Sequence, residues 1–205
     1  NVTEDHPLVP LTLYNKYKGL CEPLLFKHLS NDFNGVVFRP ATVCGYSPRM
    51  RFDLSVNILT HHAVKNNKIT VFGGEQLRPN LHIDDYCDAV CLLIETEISK
   101  INNKIFNVGY QNLKIIDIAQ KVKKVVLEEF KDRENLKIEI TDSDDKRSYH
   151  INSDKIKEVL NFIPNHTIEE AVVELCNAFK NNLLPNSFED ENYFNVKKML
   201  KLNVN

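Results

Sequence analysis

Short apolar runs bounded by glycine, proline or polar residues recur along this chain, and a helical pattern follows each of them. The runs lie at 35–38, 69–72 and 105–108. Short continuous apolar runs are typical of strands that are buried on both faces of a parallel sheet. Strands that alternate with helices form α/β folds, because each parallel pair needs a crossover connection. The sequence therefore predicts an α/β fold with a largely parallel sheet.

The ends of several helices can also be predicted. The helical patterns cover residues 14–29, 52–64, 84–95, 118–126, 153–160 and 168–179. Asp84 or Asp85 is expected to cap the third of these helices. Thr167 and Glu170 have the spacing of a capping box, which starts the last helix. The polar tail from Asn186 is expected to lie on the surface.

The composition excludes some classes of partner. A chain of 205 residues suffices for one large domain or two small ones. A net charge of −2 gives no electrostatic reason to expect nucleic-acid binding. No apolar run approaches the ~20 residues that a membrane-spanning helix needs. We therefore expect neither a nucleic-acid partner nor a membrane contact.

The cysteines predict the redox setting. There are five, an odd number, and none forms a CxxC motif. Cys87 and Cys91 are one helical turn apart, but a metal site would need two further ligands near them. We interpret both as buried thiols and expect no metal. Unpaired thiols favour a reducing, cytoplasmic location.

Tyr14 and Lys18 have the spacing of a proton-transfer pair. Residues four apart lie on one face of a helix, and Leu20, Leu24 and Leu25 predict the apolar face of the same helix. A lysine ammonium beside a phenol favours the phenolate, so the pair can exchange a proton with a substrate hydroxyl. Taken alone, the spacing favours an ordinary pair of exposed surface side chains over a catalytic pair.

Six sequence blocks then follow in an order that resembles the extended short-chain dehydrogenase/reductases. The blocks are Tyr14-x-x-x-Lys18-x-x-x-Glu22, Val36 to Gly45, Val56-Asn57-x-Leu59, Ile69 to Asp85, Phe106-Asn107-Val108-Gly109 and Asp145-Lys146-Arg147-Ser148-Tyr149. Within that group they are similar to the NAD-dependent nucleotide-sugar epimerases and dehydratases. The resemblance implies an incomplete Rossmann-type doubly wound parallel sheet, with its last strands and helices present, and a small α/β C-terminal substrate domain.

The resemblance also implies a role for each site residue. Tyr14 would transfer the proton, and Lys18 would bind the ribose hydroxyls of NAD or NADP and lower the pKa of the phenol. Further cofactor contacts would come from Pro40, Ala41, Thr42 and Val43. Substrate contacts would come from Asn57 at the phosphates, from Val71 and Phe72 at the base, and from Arg78 and Arg147 at the diphosphate.

Four of the five substrate residues have a simpler interpretation. Val71 and Phe72 also fit an ordinary core strand, and Asn57 fits a polar surface position. Arg147, which follows several acidic residues, could pair with one of them on the surface. Among the histidines, His82 is expected to be structural, and His61 with His62 is expected to be an exposed helix pair.

The resemblance divides the chain into two units. Residues 1–45 and 81–110 would belong to the Rossmann-like domain, residues 46–80 and 111–185 would form the substrate domain, and 186–205 would be the tail. The six glycines form no dinucleotide-binding motif. We therefore expect the chain to be the C-terminal portion of a longer, homodimeric enzyme, and we expect the isolated portion to be inactive.

The implied activity is the epimerisation of a nucleoside-diphosphate sugar through a 4-keto intermediate. A 4,6-dehydratase or a 4-ketoreductase would share the same blocks. A non-catalytic binding module on this fold is a third possibility, because fold alone does not determine function.

Overall fold

The computed structural model describes residues 1–143 and 148–202. The helices are α1 (Leu13–Lys27), α2 (Ser55–Asn66), α3 (Ile83–Glu95), α4 (Ile98–Ile101), α5 (Ile115–Glu129), α6 (Asp154–Leu160), α7 (Ile168–Lys180) and α8 (Asn195–Lys201), with a 3-10 turn at Glu191–Tyr193. The strands are β1 (Val36–Pro40), β2 (Thr42–Cys44), β3 (Lys68–Phe72), β4 (Leu77–His82), β5 (Lys104–Val108), β6 (Gln111–Lys114) and β7 (Lys137–Thr141). This mixed α/β architecture confirms the predicted fold class.

The described strands form three small sheets. β1 pairs with β5, and β3 pairs with β7, each in parallel. β2 pairs in parallel with β4, whose other edge pairs antiparallel with β6. The parallel pairs agree with the sequence pattern, but β6 and its antiparallel pairing were not predicted. A four-residue polar strand such as Gln111–Lys114 has no apolar run to reveal it.

β1 is less buried than its sequence suggested. The run 35–38 predicted a strand covered on both faces, yet every residue of β1 from Val36 to Arg39 is only half-buried. Within the described residues β1 has a single strand neighbour, β5, so one edge is open. Helix α1 beside it buries no residue at all, and Leu20 and Leu24 on its expected apolar face are 53% and 57% exposed.

The main core lies between α2, α5, α7 and β3. Its buried side chains include Val56, Ile69, Ile118, Val122 and Val172, all at most 1% exposed. These residues recur three or four positions apart on the helices and two apart on β3, which are the periods of a helix face and a strand face. A second cluster packs around β5 and α3, with Phe106 and Ala89 fully buried.

Two helix caps test the sequence predictions. The capping box at Thr167 is confirmed, because its hydroxyl accepts the Glu170 amide while the Glu170 carboxylate accepts the Thr167 amide. At α3 the prediction was wrong, since the cap is His82 rather than an aspartate. Nδ1 of His82 accepts the Asp84 amide at 3.2 Å, which places both aspartates inside the first turn.

The segment after Leu184 is not the polar surface tail that was expected. The side chain of Ser187 is buried, and Tyr193 and Phe194 pack against the buried ring of Phe52. His61 lies beneath this segment rather than on the surface, and its Nε2 is 2.8 Å from Oγ of Ser187. The imidazole ring of histidine can stack on aromatic rings in a core. A sequence analysis that counts histidine as polar therefore places it on the surface.

The cysteines divide into two groups. Cys44 and Cys176 are buried, and burial is the main cause that raises the pKa of each thiol to about 12. Cys87 and Cys91 are exposed on α3, so their interpretation as buried thiols was wrong. None of the described helices is long and apolar enough to cross a bilayer.

We predict that acid destabilises this chain through His61. Burial, with smaller effects of His62 and Lys65, lowers the pKa of His61 from 6.5 to about 4. The unfolded state therefore binds the proton first, and stability that is complete above pH 6.5 is lost as the pH falls towards 4. Each pH unit in this window should cost at most about 1.4 kcal/mol of unfolding free energy.

Urea unfolding of the wild type and of His61→Phe at pH 7 and pH 5 tests this prediction. The variant keeps an aromatic ring in the stack with Phe52, and its stability should depend less on pH. His28→Gln, at an exposed histidine after α1, is the matched control and should retain the pH dependence of the wild type. Identical pH dependence in His61→Phe and the wild type would contradict the prediction.

Candidate active site

Tyr14 and Lys18 lie on the solvent side of α1. The helix begins after Thr12, whose hydroxyl oxygen accepts the Asn15 amide. Tyr14 is 70% exposed, and Lys18 is also exposed. Within residues 1–143 and 148–202, neither side chain makes an ion pair or a hydrogen bond. Both polar groups are therefore accessible to a ligand.

One arginine ties α1 to the sheet. Nε and Nη2 of Arg39, on β1, donate to the Glu22 carboxylate at 2.7 and 2.5 Å. Nη1 of the same residue donates to the Glu4 carbonyl at 3.1 Å. A bidentate guanidinium–carboxylate pair fixes direction as well as distance. It holds the helix of Tyr14 against the strand that leads to Pro40.

The segment 40–43 crosses from one sheet to the next. Pro40, the last residue of β1, is exposed, and the amide of buried Ala41 donates to the Val108 carbonyl at 2.7 Å. Thr42 and Val43 then pair with β4. In open α/β sheets ligands bind beyond the carboxyl ends of the strands, which is where this crossing lies.

The buried side chain of Asn57 bridges two backbone groups of the same loop. Its side chain is in the first turn of α2 and only 3% of the residue is exposed. Oδ1 accepts the Gly45 amide at 3.2 Å, and Nδ2 donates to the Arg51 carbonyl at 3.1 Å. The amide thereby fixes both ends of the loop 45–51. This burial rules out a polar surface position for Asn57, and its phosphate contact stays a prediction.

Val71 and Phe72 have opposite environments. Val71 is fully buried in the core between β3 and the helices, as the simpler interpretation expected. Its side chain has no surface to offer a nucleotide base. Phe72 at the end of β3 is 62% exposed and keeps an accessible ring. Alternation along a strand explains the difference, because neighbouring side chains point to opposite faces.

Arg78 lies where β4 meets residues 148 and 149. Its guanidinium is 5.9 Å from the centre of the Tyr149 ring, and Nη1 donates to the Leu77 carbonyl at 3.0 Å. The amide of Leu77 donates to Oγ of Ser148 at 3.0 Å. Ser148 directly follows Arg147, the other predicted diphosphate ligand, which lies outside the described residues.

Two acidic residues, Asp85 and Glu174, each bind backbone amides from a distant part of the chain. The sequence analysis did not predict this role for either of them. The buried carboxylate of Asp85 accepts the amides of Asn165 and His166, and Nδ1 of His166 lies 2.8 Å from it. This contact raises the pKa of His166. Oε2 of Glu174 accepts the Tyr46 amide at 3.3 Å. Their partners are about 80 and 130 positions away, so local patterns gave no signal.

A sequence profile described as "NAD dependent epimerase/dehydratase family" matches residues 1–109, more than half of the chain. The chain belongs to this family. The matched region contains α1, the crossing at 40–43, Asn57 and Arg78. The matched region thus contains every predicted site residue except Arg147.

Individual relatives agree with the family. A UDP-glucose 4-epimerase of Lactobacillus helveticus is 26% identical over an alignment of 141 residues, and the match covers 59% of this chain and 43% of that protein. The UDP-glucose 4-epimerase of Thermotoga maritima, solved with UDP-glucose, superposes with a TM-score of 0.74 at 22% identity, covering 89% of this chain and 58% of that one. The dTDP-glucose 4,6-dehydratase of Bacillus anthracis, solved with NAD, gives 0.72 at 21%, covering 88% and 56%.

The proteins in these comparisons are longer than this chain. It spans about half the length of the proteins that it matches. At such low identity the structural matches establish the shared fold, and they leave the substrate of this family member open.

We predict that Asn57 acts through the fold. Asn57→Ala should leave the buried Gly45 amide and the part-buried Arg51 carbonyl without their present side-chain partner, and the unsatisfied amide alone should cost about 1–3 kcal/mol. Guanidinium unfolding should show this loss. Asn66→Ala, an exposed residue at the end of the same helix, is the matched control and should change stability by no more than about 0.5 kcal/mol. Equal stability of the two variants would contradict the prediction that the Asn57 hydrogen bonds stabilise the fold.

Proposed function

We propose that this chain forms the proton-transfer and substrate-binding part of an NAD-dependent epimerase of nucleoside-diphosphate sugars. The observation that carries the proposal is the accessible Tyr14/Lys18 pair on a helix that Arg39 ties to β1. The strand leads directly into the exposed Pro40 and the 40–43 crossing. Membership of an epimerase/dehydratase family supports the reaction class.

Tyr14 would take the proton of the C4 hydroxyl. A free phenol, with a pKa of about 10, is a poor base at neutral pH. The ammonium of Lys18, one turn away on the same helix face, would favour the phenolate. Loss of the hydroxyl proton and of the C4 hydride gives a 4-keto sugar. Return of the hydride to the opposite face of C4, and of the proton to the oxygen, gives the epimer.

The residues present fit one end of NAD. Lys18 has no competing partner among the described residues, so its ammonium is available to ribose hydroxyls. Pro40 is exposed at the predicted nicotinamide contact, next to Thr42 and Val43. NAD, when bound, supplies the acceptor and donor of the hydride. Solved proteins of this fold contain NAD, among them the dehydratase of Bacillus anthracis.

The nucleotide sugar would lie against β3 and β4. Arg78 offers a planar guanidinium, which suits the oxygens of a diphosphate. The exposed ring of Phe72 can pack on a base. Arg147, which lies outside the described residues, would be a further ligand of the diphosphate. The UDP-glucuronic acid 4-epimerase of Bacillus cereus, solved with its sugar nucleotide and NAD, has this fold at a TM-score of 0.74.

A 4,6-dehydratase is the second candidate. The dTDP-glucose 4,6-dehydratase of Bacillus anthracis superposes almost as well as the epimerases do, with a TM-score of 0.72. The first step of both reactions is oxidation at C4 to a 4-keto sugar, so Tyr14 and Lys18 would serve in either reaction. Product analysis by mass spectrometry separates them, because only a dehydratase releases water from the sugar.

We predict that Tyr14→Phe abolishes turnover in a protein that joins this chain to a dinucleotide-binding half. The substitution removes the oxygen that carries the proton but keeps the ring, so kcat should fall much more than KM changes. Bound NAD should be retained. Tyr17→Phe is the matched control, because Tyr17 is 65% exposed on the same helix but lacks the spacing to Lys18. Normal kcat in Tyr14→Phe would refute the assignment.

Arg78→Ala should weaken binding of a nucleoside diphosphate to the chain by roughly ten- to a hundred-fold, because a charge-assisted contact to phosphate is lost. Calorimetry with UDP measures the effect. Arg133→Ala, which removes the same charge after α5, should not change the affinity. The same titration with NAD should give no saturable heat, because no glycine-rich turn is present to bind the pyrophosphate. Unchanged UDP affinity in Arg78→Ala would place this residue outside the site.

A further inference from the structure

Three side chains with metal-binding groups meet at the end of β4. His82 is the last residue of β4, Asp84 is in the first turn of α3, and Glu174 is in the middle of α7. One nitrogen of His82 and one oxygen from each carboxylate lie within 4.8 Å of one another. The sequence places Glu174 about 90 positions from the other two, so only the fold brings them together.

His82 points a buried nitrogen at this cluster. The residue is 1% exposed, and its Nε2 lies 3.2 Å from Oε2 of Glu174. The two atoms are not aligned for a hydrogen bond, and Nε2 has no other partner among the described residues. A buried polar nitrogen without a partner costs about 1–3 kcal/mol. Such an atom indicates that a ligand completes the site.

The charge around His82 favours a cation. Among the described residues, Asp84 and Glu174 form ion pairs only with His82, and no lysine or arginine neutralises them. Glu174 also accepts the Tyr46 amide through Oε2, which fixes its direction. The imidazole of His82 and the carboxylate of Glu174 are donors that suit a borderline divalent ion, and the Asp84 carboxylate adds negative charge beside them.

There is also room beside the two facing atoms. Residue 45 is a glycine with φ of +106°, and a Cβ at that position would lie 3.1 Å from Nε2 of His82 and 3.2 Å from Oε2 of Glu174. A cavity of about 390 Å³ adjoins the cluster, lined in part by Tyr46, Asp84 and Asn177. Water in this cavity can complete a coordination sphere.

We propose that Nε2 of His82 and Oε2 of Glu174 bind a divalent transition-metal ion such as Zn²⁺, with water as the remaining ligands. Two atoms that are 3.2 Å apart and each about 2.1 Å from a metal subtend roughly 100°, which suits a tetrahedral centre. The ion would tie the β4–α3 junction to α7 and to the turn at Gly45.

Asp84 acts in this site as a positioning residue. Without metal, Nδ1 of His82 accepts the Asp84 amide, so the proton of the neutral ring lies on Nε2. Metal binding moves that proton to Nδ1 and breaks the bond to the amide. The Asp84 carboxylate, 3.9 Å from Nδ1, then accepts the N–H, as carboxylates beside metal-bound histidines do.

Zinc titration of the full chain tests the proposal. Calorimetry with ZnCl₂ should show saturable binding of one equivalent, and zinc should raise the melting temperature because it binds the folded state. Glu174→Gln retains an oxygen that can accept the Tyr46 amide but loses the charge, and it should weaken binding roughly tenfold or more. Nitrogen-15 NMR should show the proton of His82 on Nδ1 when zinc is bound.

Asp88→Asn is the matched control, because it removes one exposed carboxylate from α3 outside the cluster. It should bind zinc as the wild type does. Circular dichroism of Glu174→Gln shows whether the variant is folded. Absence of saturable binding to the wild type overturns the proposal. So does unchanged affinity in folded Glu174→Gln, which would assign the zinc to other histidines. If Glu174→Gln fails to fold, the NMR signal of wild-type His82 decides, and a proton that stays on Nε2 overturns the site.

Discussion

The packing of α2, α5 and α7 against β3 is the constraint on which the rest of the structure depends. It contains the largest group of fully buried side chains, and α2 and α7 extend from it to the functional loops. Asn57 on α2 and Glu174 on α7 reach out of this core to bind the turn at Gly45. The loop between the 40–43 crossing and α2 therefore inherits its position from the core.

The proposed proton-transfer helix is held differently. α1 buries no side chain, and its tie to β1 is mainly the ion pair of Arg39 with Glu22 together with contacts of Leu25 and Leu29 on Gly35. A partly exposed ion pair contributes little to stability, so its role is directional. The densely packed core around α2, α5 and α7 thus contrasts with the helix that carries Tyr14 and Lys18, which buries no side chain.

The successes and errors of the sequence analysis have physical causes. The run 105–108 was predicted correctly as a buried strand. The run 69–72 was predicted correctly as a strand, but only Ile69 and Val71 on one of its faces are fully buried, and Phe72 is exposed. β1 has a similar run, but the helix α1 beside it buries no residue, so the burial of β1 was overestimated. His61 was placed on the surface because two of its aromatic partners, Phe179 and Phe188, are distant in sequence. Val71 obeyed its local pattern and is core.

The sequence by itself determined the α/β class, most element positions, the Tyr14/Lys18 spacing and the family, because each of these depends on neighbours within a few residues or on ordered motifs. Only the tertiary structure decided that the Asn57 side chain binds the Gly45 amide and that Asp85 binds the loop at His166. It also decided that His82 faces Glu174. These roles depend on hydrogen-bonding partners that chain folding brings within about 3 Å, and a linear pattern contains no record of such distances.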